Sequence, residues 1–161
     1  MMNQTTNADD ALLTLDNQLC FALYSTSHAM TRVYRPLLAP LGLTYPQYMV
    51  MLVLWEQDAQ PLSEIGHKLY LDSGTLTPLL KRLEKSKLVV RERDRTDERR
   101  VLIRLTDSGR QLREHARTVP RQLLAGIDCP LQQRQSLLAQ ISELRDQLHA
   151  TLGAHQRNNN H

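Results

Sequence analysis

The chain has 161 residues, of which 41% are hydrophobic, so it is large enough for one domain with its own core. No segment is apolar over the roughly 20 residues that a membrane helix needs, and the polar N-terminus has no signal-peptide run. We therefore expect a cytoplasmic protein without membrane association. Its two cysteines, Cys20 and Cys129, are then expected to be free or redox-active thiols rather than a permanent disulfide.

The N-terminal part of the sequence predicts a disordered segment followed by a long helix. Residues 1–10 are polar and without periodicity, and we expect them to be disordered. Apolar residues at helical spacing predict one amphipathic helix over residues 11–33. Pro36 is expected to interrupt that helix, because proline lacks an amide donor and restricts the residue before it.

A clear helix start follows. Thr44 with Gln47 matches the capping-box pattern, which begins a helix over residues 45–56. Apolar residues occur on nearly all sides of this helix, so we expect it to be buried at the centre of the domain. Residues 57–61 are predicted to be its exit loop.

The next stretch predicts a helix-turn-helix. Ser63 is expected to cap its first helix, and the turn residues 70–74 separate it from the second. Pro78 is harmless only in a first helical turn, so Thr75 or Thr77 is the expected cap of the second helix. This register places the polar residues of the second helix near its exposed N-terminal end, where recognition helices meet DNA.

A charged β-hairpin is predicted directly after the second helix. Residues 88–93 and 100–106 are rich in Val, Ile and Leu and predict two strands joined by a polar tip. Between Lys81 and Arg104 there are ten Lys or Arg and five Asp or Glu, which is half of the 20 basic residues of the chain. Placed after a helix-turn-helix, this basic excess favours a DNA-binding wing over an ordinary solvated hairpin.

The C-terminal part predicts two more helices. Thr106 begins a helix that reaches at least Val119, where Pro120 kinks or restarts it. A last helix carries an apolar stripe of Leu137, Leu138, Ile141, Leu144, Leu148 and Leu152. Long terminal helices with more apolar surface than one winged module covers predict a homodimer interface. Residues 153–161 are expected to be a flexible tail.

Two motifs resemble a known family. The stretches LYLDSGTLTPLLKRLE and DERR…LIRLTDSG are similar to the recognition helix and wing of MarR-type repressors. The likeness is strongest to the organic-hydroperoxide-sensing, OhrR-like branch of two-cysteine type, and it covers residues 15–152. It implies a mainly α winged helix-turn-helix fold, with residues 11–44 and 107–152 as dimerisation helices and residues 45–106 as the DNA-binding lobe.

The more specific sign of that branch is the set Cys20, Tyr24, Tyr34 and Tyr45. The resemblance implies a peroxide-reactive Cys20 surrounded by tyrosines of the same or the partner subunit. Tyrosine hydroxyls are suited to stabilise a thiolate, which attacks a peroxide and becomes sulfenic acid. From composition alone, a buried cysteine among core tyrosines is the better interpretation, and the resemblance reverses that preference.

The resemblance also gives Cys129 a role. In two-cysteine repressors the oxidised first-helix cysteine condenses with a cysteine near the last helix of the other subunit, and Cys129 occupies that position. The alternative that Cys129 has no role in the switch stays open. If Cys129 cannot reach the oxidised cysteine, oxidation would end as a mixed disulfide with a small thiol.

The DNA contacts are implied in the same way. Expected contacts in the major groove come from Ser73, Thr75, Thr77 and Pro78, and phosphate contacts from Lys81 and Arg82. The wing is expected to use Arg95 and Arg99 in the minor groove or on its phosphates, with Asp97 orienting Arg99 by a salt bridge. A symmetric dimer would read a pseudo-palindromic operator.

Three other functions stay open on the sequence. A MarR-type regulator released by a small aromatic ligand would use the same fold without redox-active cysteines. A thiol peroxidase lacks support because no arginine lies within a helical turn of Cys20, so we expect no enzyme. A purely architectural DNA-binding protein would bind without sequence preference. The six histidines are scattered and no Gly-rich phosphate loop occurs, so neither a metal nor a cofactor is expected.

Overall fold

The computed structural model describes residues 12–94, 96–97 and 99–158, and side chains as far as residue 152. Its elements are α1 (Leu19–Leu38), α2 (Tyr45–Glu56), β1 (Gln60–Pro61), α3 (Leu62–Leu69), α4 (Ser73–Lys85), β2 (Val89–Arg93), β3 (Val101–Leu105), α5 (Asp107–Ala116), α6 (Thr118–Ala125) and α7 (Leu131–Asn158). The mainly helical chain with one small antiparallel sheet confirms the predicted fold class. The predicted disorder of residues 1–10 lies outside the described residues.

The chain divides into two compact units, Met1–Leu123 and Leu124–His161. The first unit holds α1 to α5, the sheet and most of α6. Within it α1 packs on α2, and α5 packs on both α2 and β3. The second unit consists of the end of α6, a short connection and α7. The predicted division into dimerisation helices and a DNA-binding lobe concerns a dimer, and it stays a prediction.

Helix α1 differs from the prediction at both ends. It begins at Leu19, after a 3₁₀ turn at residues 15–17, and it continues through Pro36 to Leu38. The expected interruption at Pro36 is therefore wrong. Pro36 removes only the hydrogen bond that its own amide would donate, and the helix ends within one turn of it. The chain turns instead at Gly42, whose φ of 66° is left-handed.

Helix α2 is the buried centre of the first unit, as predicted. Its start is the expected capping box, in which the Thr44 backbone N–H donates to Gln47 Oε1 at 2.9 Å. Buried side chains occur on every face of the helix: Gln47, Tyr48, Val50, Met51, Val53, Leu54 and Trp55. The Trp55 indole N–H donates to the Gly109 carbonyl at 2.8 Å, which joins α2 to α5. A Cβ at Gly109 would collide with the Leu88 carbonyl oxygen, so this position requires glycine.

The sheet has the strand order β1-β3-β2. Both predicted wing strands are present, with Val89 opposite Leu105 and Arg93 opposite Val101. Strand β1, which pairs Gln60 with Ile103, was expected to be loop. Two residues, one of them proline, carry no recognisable strand pattern, and proline is tolerated there because β1 is an edge strand.

Helices α3 and α4 form the predicted helix-turn-helix, but their caps differ from the prediction. Ser63 is the second residue of α3 rather than its cap, which is Pro61. Leu76, Leu80 and Leu83 of α4 are fully buried in the core. Removing one such leucine side chain costs about 2–5 kcal/mol. These three leucines fix α4 so that its opposite face is exposed.

The predicted helix after the wing is divided in two. Thr106 caps α5 as expected, accepting the Gly109 N–H at 3.0 Å. Helix α5 ends at Ala116, three residues before Val119, which it was predicted to reach. Helix α6 then begins at Thr118. Pro120 explains the break, because its missing amide would have bonded to the carbonyl of Ala116.

Helix α7 runs to Asn158, so the expected tail is helical over residues 153–158. Within this unit its predicted apolar stripe is largely exposed, with Leu138 at 68% and Leu152 at 60%. Among the described residues no single helix is long and apolar enough to cross a membrane, although the bent pair Leu19–Leu41 and Tyr45–Glu56 reaches that length and composition together.

Candidate DNA interface and redox site

The start of α4 is set by Asp72, which the sequence interpretation missed. One carboxylate oxygen of Asp72 accepts the Thr75 backbone N–H at 2.8 Å, and the other accepts the Thr75 hydroxyl at 3.0 Å. These hydrogen bonds, first the one from the Thr75 backbone, lower the pKa of Asp72. The expected cap at Thr75 or Thr77 is therefore wrong. Aspartate is a preferred cap, but the prediction assumed that Pro78 must lie in the first turn, whereas it is the sixth residue of the helix.

The proposed recognition residues lie on the polar side of α4, opposite its buried leucines. The exposed members are Ser73, Thr75, Pro78, Lys81 and Arg82. Thr77 is half-buried, and its hydroxyl donates to the Ser73 carbonyl at 2.6 Å, so only its oxygen lone pairs are free to accept. The helix thus presents short polar groups at its N-terminal end and two cations one turn further on, as a major-groove reader requires.

The wing is braced by ion pairs. Arg91 of β2 contacts Glu84 of α4 at 2.9 Å, and Arg104 contacts Glu92 across the hairpin at 3.4 Å. These pairs neutralise two of the ten cations counted between residues 81 and 104. Among the described side chains, six cations in this stretch form no ion pair: Lys81, Arg82, Lys85, Lys87, Arg93 and Arg100. The positive charge that is left for phosphate contact is therefore concentrated on α4, its C-terminal end and the wing.

At the wing tip, Asp97 and Arg99 form the expected salt bridge, with Arg99 Nε 3.7 Å from Asp97 Oδ1. The Arg99 side chain is 95% exposed. A turn missed by the sequence interpretation precedes them, where Thr96 donates to Asp94 through its hydroxyl at 2.7 Å. This hydroxyl and the Thr96 amide lower the pKa of Asp94. Arg95 lies outside the described residues, so its predicted DNA contact has no structural counterpart here.

Cys20 is the second residue of α1, and its thiol is exposed. Its Sγ lies 3.8 Å from Gln18 Oε1. Tyr24, one helical turn further on, is 61% exposed, and its ring stacks against His28 with the centroids 4.3 Å apart. The first two members of the predicted redox set thus face solvent in a single chain.

The other two predicted tyrosines are packed together. The ring centroids of Tyr34 and Tyr45 are 4.8 Å apart, and Tyr48 lies 5.8 Å from Tyr34. Burial, followed by the Tyr45 and Tyr48 charges, raises the pKa of Tyr34 to about 12. Burial also raises the pKa of Tyr45 and of Tyr48. Tyr48 was missed because its position in an all-apolar helix is typical of an ordinary core residue.

These phenols are out of reach of the cysteine in their own chain. Cys20 and Tyr34 are fourteen positions apart on the same helix, which separates them by about 21 Å along its axis. Within one chain, Cys20 and this tyrosine cluster are therefore not brought together. Cys129 is half-buried in the connection before α7, where its amide donates to the Ile127 carbonyl at 2.9 Å.

An apolar groove of about 520 Å³ opens beside α2, lined by Tyr48, Met49, Leu52, Val53, Trp55 and Leu69 among others. Met49 lines this groove. Leu19, the residue before Cys20, is instead 61% exposed.

The fold is that of a winged helix-turn-helix DNA-binding protein. It has a recognition helix capped by Asp72, and a basic hairpin that belongs to a small sheet. Residues 32–115 match the family model "Transcriptional regulator SarA/Rot". The chain is 51% identical over 154 residues to the HTH-type transcriptional regulator TtmR of Methylorubrum extorquens, covering 96% of this chain and 78% of that protein. It is 52% identical over 110 residues to the organic hydroperoxide resistance transcriptional regulator of Bacillus subtilis, covering 68% and 75%.

Solved structures of regulators with a similar fold superpose on this chain. Reduced AbfR bound to DNA superposes with a TM-score of 0.77 at 38% identity, covering 89% of this chain and 99% of that one. Disulfide-formed AbfR superposes at 0.60 and 40% identity, covering 84% and 96%. AbfR is a protein of Staphylococcus epidermidis. The chain belongs to the SarA/Rot family of MarR-type winged helix-turn-helix transcriptional regulators, in its OhrR-like branch.

Proposed function

We propose that this regulator is a homodimeric repressor that releases its operator when an organic hydroperoxide oxidises Cys20. The observation that carries the proposal is the cluster of Tyr34, Tyr45 and Tyr48, whose phenols are packed together about 21 Å from the Cys20 of their own chain. Such a cluster needs an exposed thiol from a second chain to form a redox site, and Cys20 is exposed.

The dimer would be held by the apolar surface of α7. Leu137, Leu138, Ile141, Leu148 and Leu152 are all more than two-fifths exposed, which is unusual for so many large apolar residues on one helix. A second copy would cover this stripe, and the resulting homodimer would carry two α4 helices. The pair would read a pseudo-palindrome with half-sites about 34–36 Å apart.

On DNA, we assign base contacts in the major groove to Ser73, Thr75, Thr77 and Pro78. Phosphate contacts would come from Lys81 and Arg82, which have no ion-pair partner among the described side chains. Arg95 and Arg99 would reach the minor groove, with Arg99 held by Asp97. The structural neighbour AbfR is itself a DNA-bound protein, which supports this arrangement.

In the sensor, the partner's Tyr34 and Tyr45 would donate hydrogen bonds to the Cys20 thiolate, with Tyr24 flanking it. Because burial keeps these phenols protonated far above neutral pH, they are permanent donors. The thiolate sulfur attacks one peroxide oxygen, the O–O bond breaks, and the leaving alkoxide takes a proton to become an alcohol. Cys20 is oxidised to sulfenic acid and the peroxide is reduced.

The second step would join the subunits. The thiol of the partner's Cys129 attacks the sulfenic sulfur, forming a disulfide and releasing water. The disulfide-formed structure of AbfR supports such a step in a relative. The bridge would hold the two subunits in an arrangement that does not match the operator. A difference of a few kcal/mol between the two states is enough to release DNA.

The test is a non-reducing gel, run beside an operator gel shift, before and after one equivalent of cumene hydroperoxide. Wild type should form a covalent dimer and release DNA, while Cys20→Ser should do neither and still bind DNA. Cys129→Ser should oxidise without a covalent dimer. Release of Cys20→Ser from DNA by the peroxide, as readily as wild type, would refute the sensor assignment.

A second candidate is favoured by the apolar groove beside α2, whose aromatic walls suit a small aromatic ligand. That function predicts operator release by a phenolic compound in the presence of a reductant, unchanged in Cys20→Ser. The same gel shift, performed with and without dithiothreitol, separates the two.

A further inference from the structure

A second groove, of about 590 Å³, lies next to the tyrosine cluster. It is formed by the last turns of α1 and the segment that leads into α2. Ala39, Leu43 and Pro46 give it an apolar side, and Tyr45 forms part of its wall. Its volume is typical of sites for small organic molecules. A groove that shares Tyr45 with the redox site is therefore placed to hold a substrate of that site.

The groove is also cationic. Arg32 and Arg35 line it, three positions apart on α1 and hence on neighbouring positions of one helix face. Neither arginine forms an ion pair or a side-chain hydrogen bond with any described residue, although five other arginines of the first unit do: Arg91, Arg99, Arg104, Arg110 and Arg117. Two hydroxyl groups, of Thr31 and Thr44, complete its polar side.

Two unpaired guanidinium groups beside an apolar wall suit one kind of ligand, an amphipathic organic anion. Guanidinium groups match the planar geometry of carboxylates and bind them through paired, charge-assisted hydrogen bonds. The apolar side would cover the hydrocarbon part of the same molecule. A neutral peroxide could use the apolar side but would leave both arginines unused.

We propose that this groove binds the carboxylate of a carboxylate-bearing organic hydroperoxide, which makes Arg32 and Arg35 specificity-determining residues of the sensor. The inference rests on the proposed function, because it needs the partner's Cys20 at the tyrosine cluster. The carboxylate does not react. It anchors the molecule at the arginines while the thiolate attacks the peroxide group, and the product leaves as the corresponding hydroxy acid.

The test compares two peroxides that differ only at the carboxyl group, linoleic acid hydroperoxide, which carries a carboxylate, and its neutral methyl ester, both below their micellar concentrations. The readout is the rate of Cys20 oxidation in the reduced full-length protein without DNA. Wild type should react about tenfold faster with the acid than with the ester, the effect of one exposed charged contact. In Arg32→Gln/Arg35→Gln this ratio should fall close to one, and Arg35→Lys should keep part of it.

A matched control separates local binding from overall charge. Lys68 and Arg121 are exposed and lie outside the groove. Lys68→Gln/Arg121→Gln removes the same two charges and should keep the acid-to-ester ratio of wild type. If the control loses the ratio as well, long-range attraction explains the preference and the groove does not.

Three further outcomes would overturn the inference. If cumene hydroperoxide oxidises wild-type Cys20 but acid and ester react alike, the groove does not read the carboxylate, and the proposed function stands. If the arginine variants weaken the dimer in sedimentation without changing the ratio, the groove holds an acidic side chain of the second copy. If no peroxide oxidises Cys20, the proposed function itself fails.

Discussion

The DNA-binding part and the redox part of this chain differ in how far a single chain completes them. In the first, contacts within the chain hold the reading elements. Asp72 caps α4, Glu84 braces β2 through Arg91, and Asp58 accepts the Leu105 amide at 2.8 Å. In the redox part, Cys20 and Tyr24 are exposed, and only the tyrosines 34, 45 and 48 are packed together. Contacts within one chain therefore hold the proposed DNA reader, whereas the proposed sensor would need a second chain.

The largest expected effect contrasts a buried with an exposed leucine. Leu80→Ala in α4 should lower the free energy of unfolding by about 2–5 kcal/mol at any protein concentration, because Leu80 is fully buried within one chain. Leu138→Ala should destabilise the protein only through the dimer, since Leu138 is 68% exposed in the single chain. Urea unfolding at several protein concentrations measures both. A concentration-independent loss in Leu138→Ala would contradict the assignment of this stripe to an interface.

The same contrast governs what the sequence could predict. The helix-turn-helix and the wing strands follow patterns that are decided locally, and both predictions are confirmed. Three of the local details that were wrong or missed are the continuation of α1 through Pro36, the cap at Asp72, and strand β1. In each, a proline was given more weight than its position deserved, or the element was too short to show a pattern.

The candidate site was predictable to a different extent. The pairing of Tyr34 with Tyr45 joins residues on separate helices, and it came only from the resemblance. Tyr48 escaped because a tyrosine in a buried helix has the pattern of core. The proposal that a partner supplies Cys20 could not be made from the sequence, because it depends on α1 continuing through Pro36.

A second, smaller effect tests how the wing is anchored. Asp58 accepts the Leu105 amide and also the Arg110 guanidinium, the latter at 2.8 Å. Asp58→Ala should lower stability by about 1–3 kcal/mol and weaken operator binding, because a strand amide at the wing base loses its acceptor. Asp107→Ala is the matched control, since Asp107 is the other partner of Arg110 and its side chain is 92% exposed. Urea midpoints and gel shifts should show almost no change for the control. Equal losses of stability and operator affinity in both variants would show that Asp58 does not anchor the wing.

The third effect concerns the free cations of the DNA reader. Arg82→Ala should weaken operator binding about tenfold and reduce the slope of log affinity against log salt by about one, as expected for one phosphate contact. Arg91→Ala should change the slope less, because Arg91 is already engaged by Glu84 at 2.9 Å. Filter binding over a salt series measures both slopes. The ranking would be refuted if Arg91→Ala had the larger effect.

The smallest expected effect follows from removing one phenolic oxygen of the proposed sensor. Tyr34→Phe keeps the ring packed against Tyr45 and should leave operator affinity unchanged, but slow the oxidation of Cys20 several-fold through loss of one hydrogen bond to the thiolate. Stopped-flow oxidation by cumene hydroperoxide measures the rate. Tyr70→Phe is a suitable control, since Tyr70 lies in the turn between α3 and α4.

The pKa of Tyr34 gives this prediction its pH dependence. Burial raises it from 10.0 to about 12, so the folded protein holds the phenolic proton more tightly than the unfolded chain. Below pH 10 both states are protonated, and the hydrogen-bond donor is constant. Between pH 10 and 12 the unfolded chain releases its proton first, so folding stability should fall as the pH rises. The tyrosinate absorbance that appears near pH 12 should disappear in Tyr34→Phe. If Tyr34 instead ionised with an ordinary pKa, it would be exposed to solvent, and the tyrosine cluster could not serve as a permanent donor.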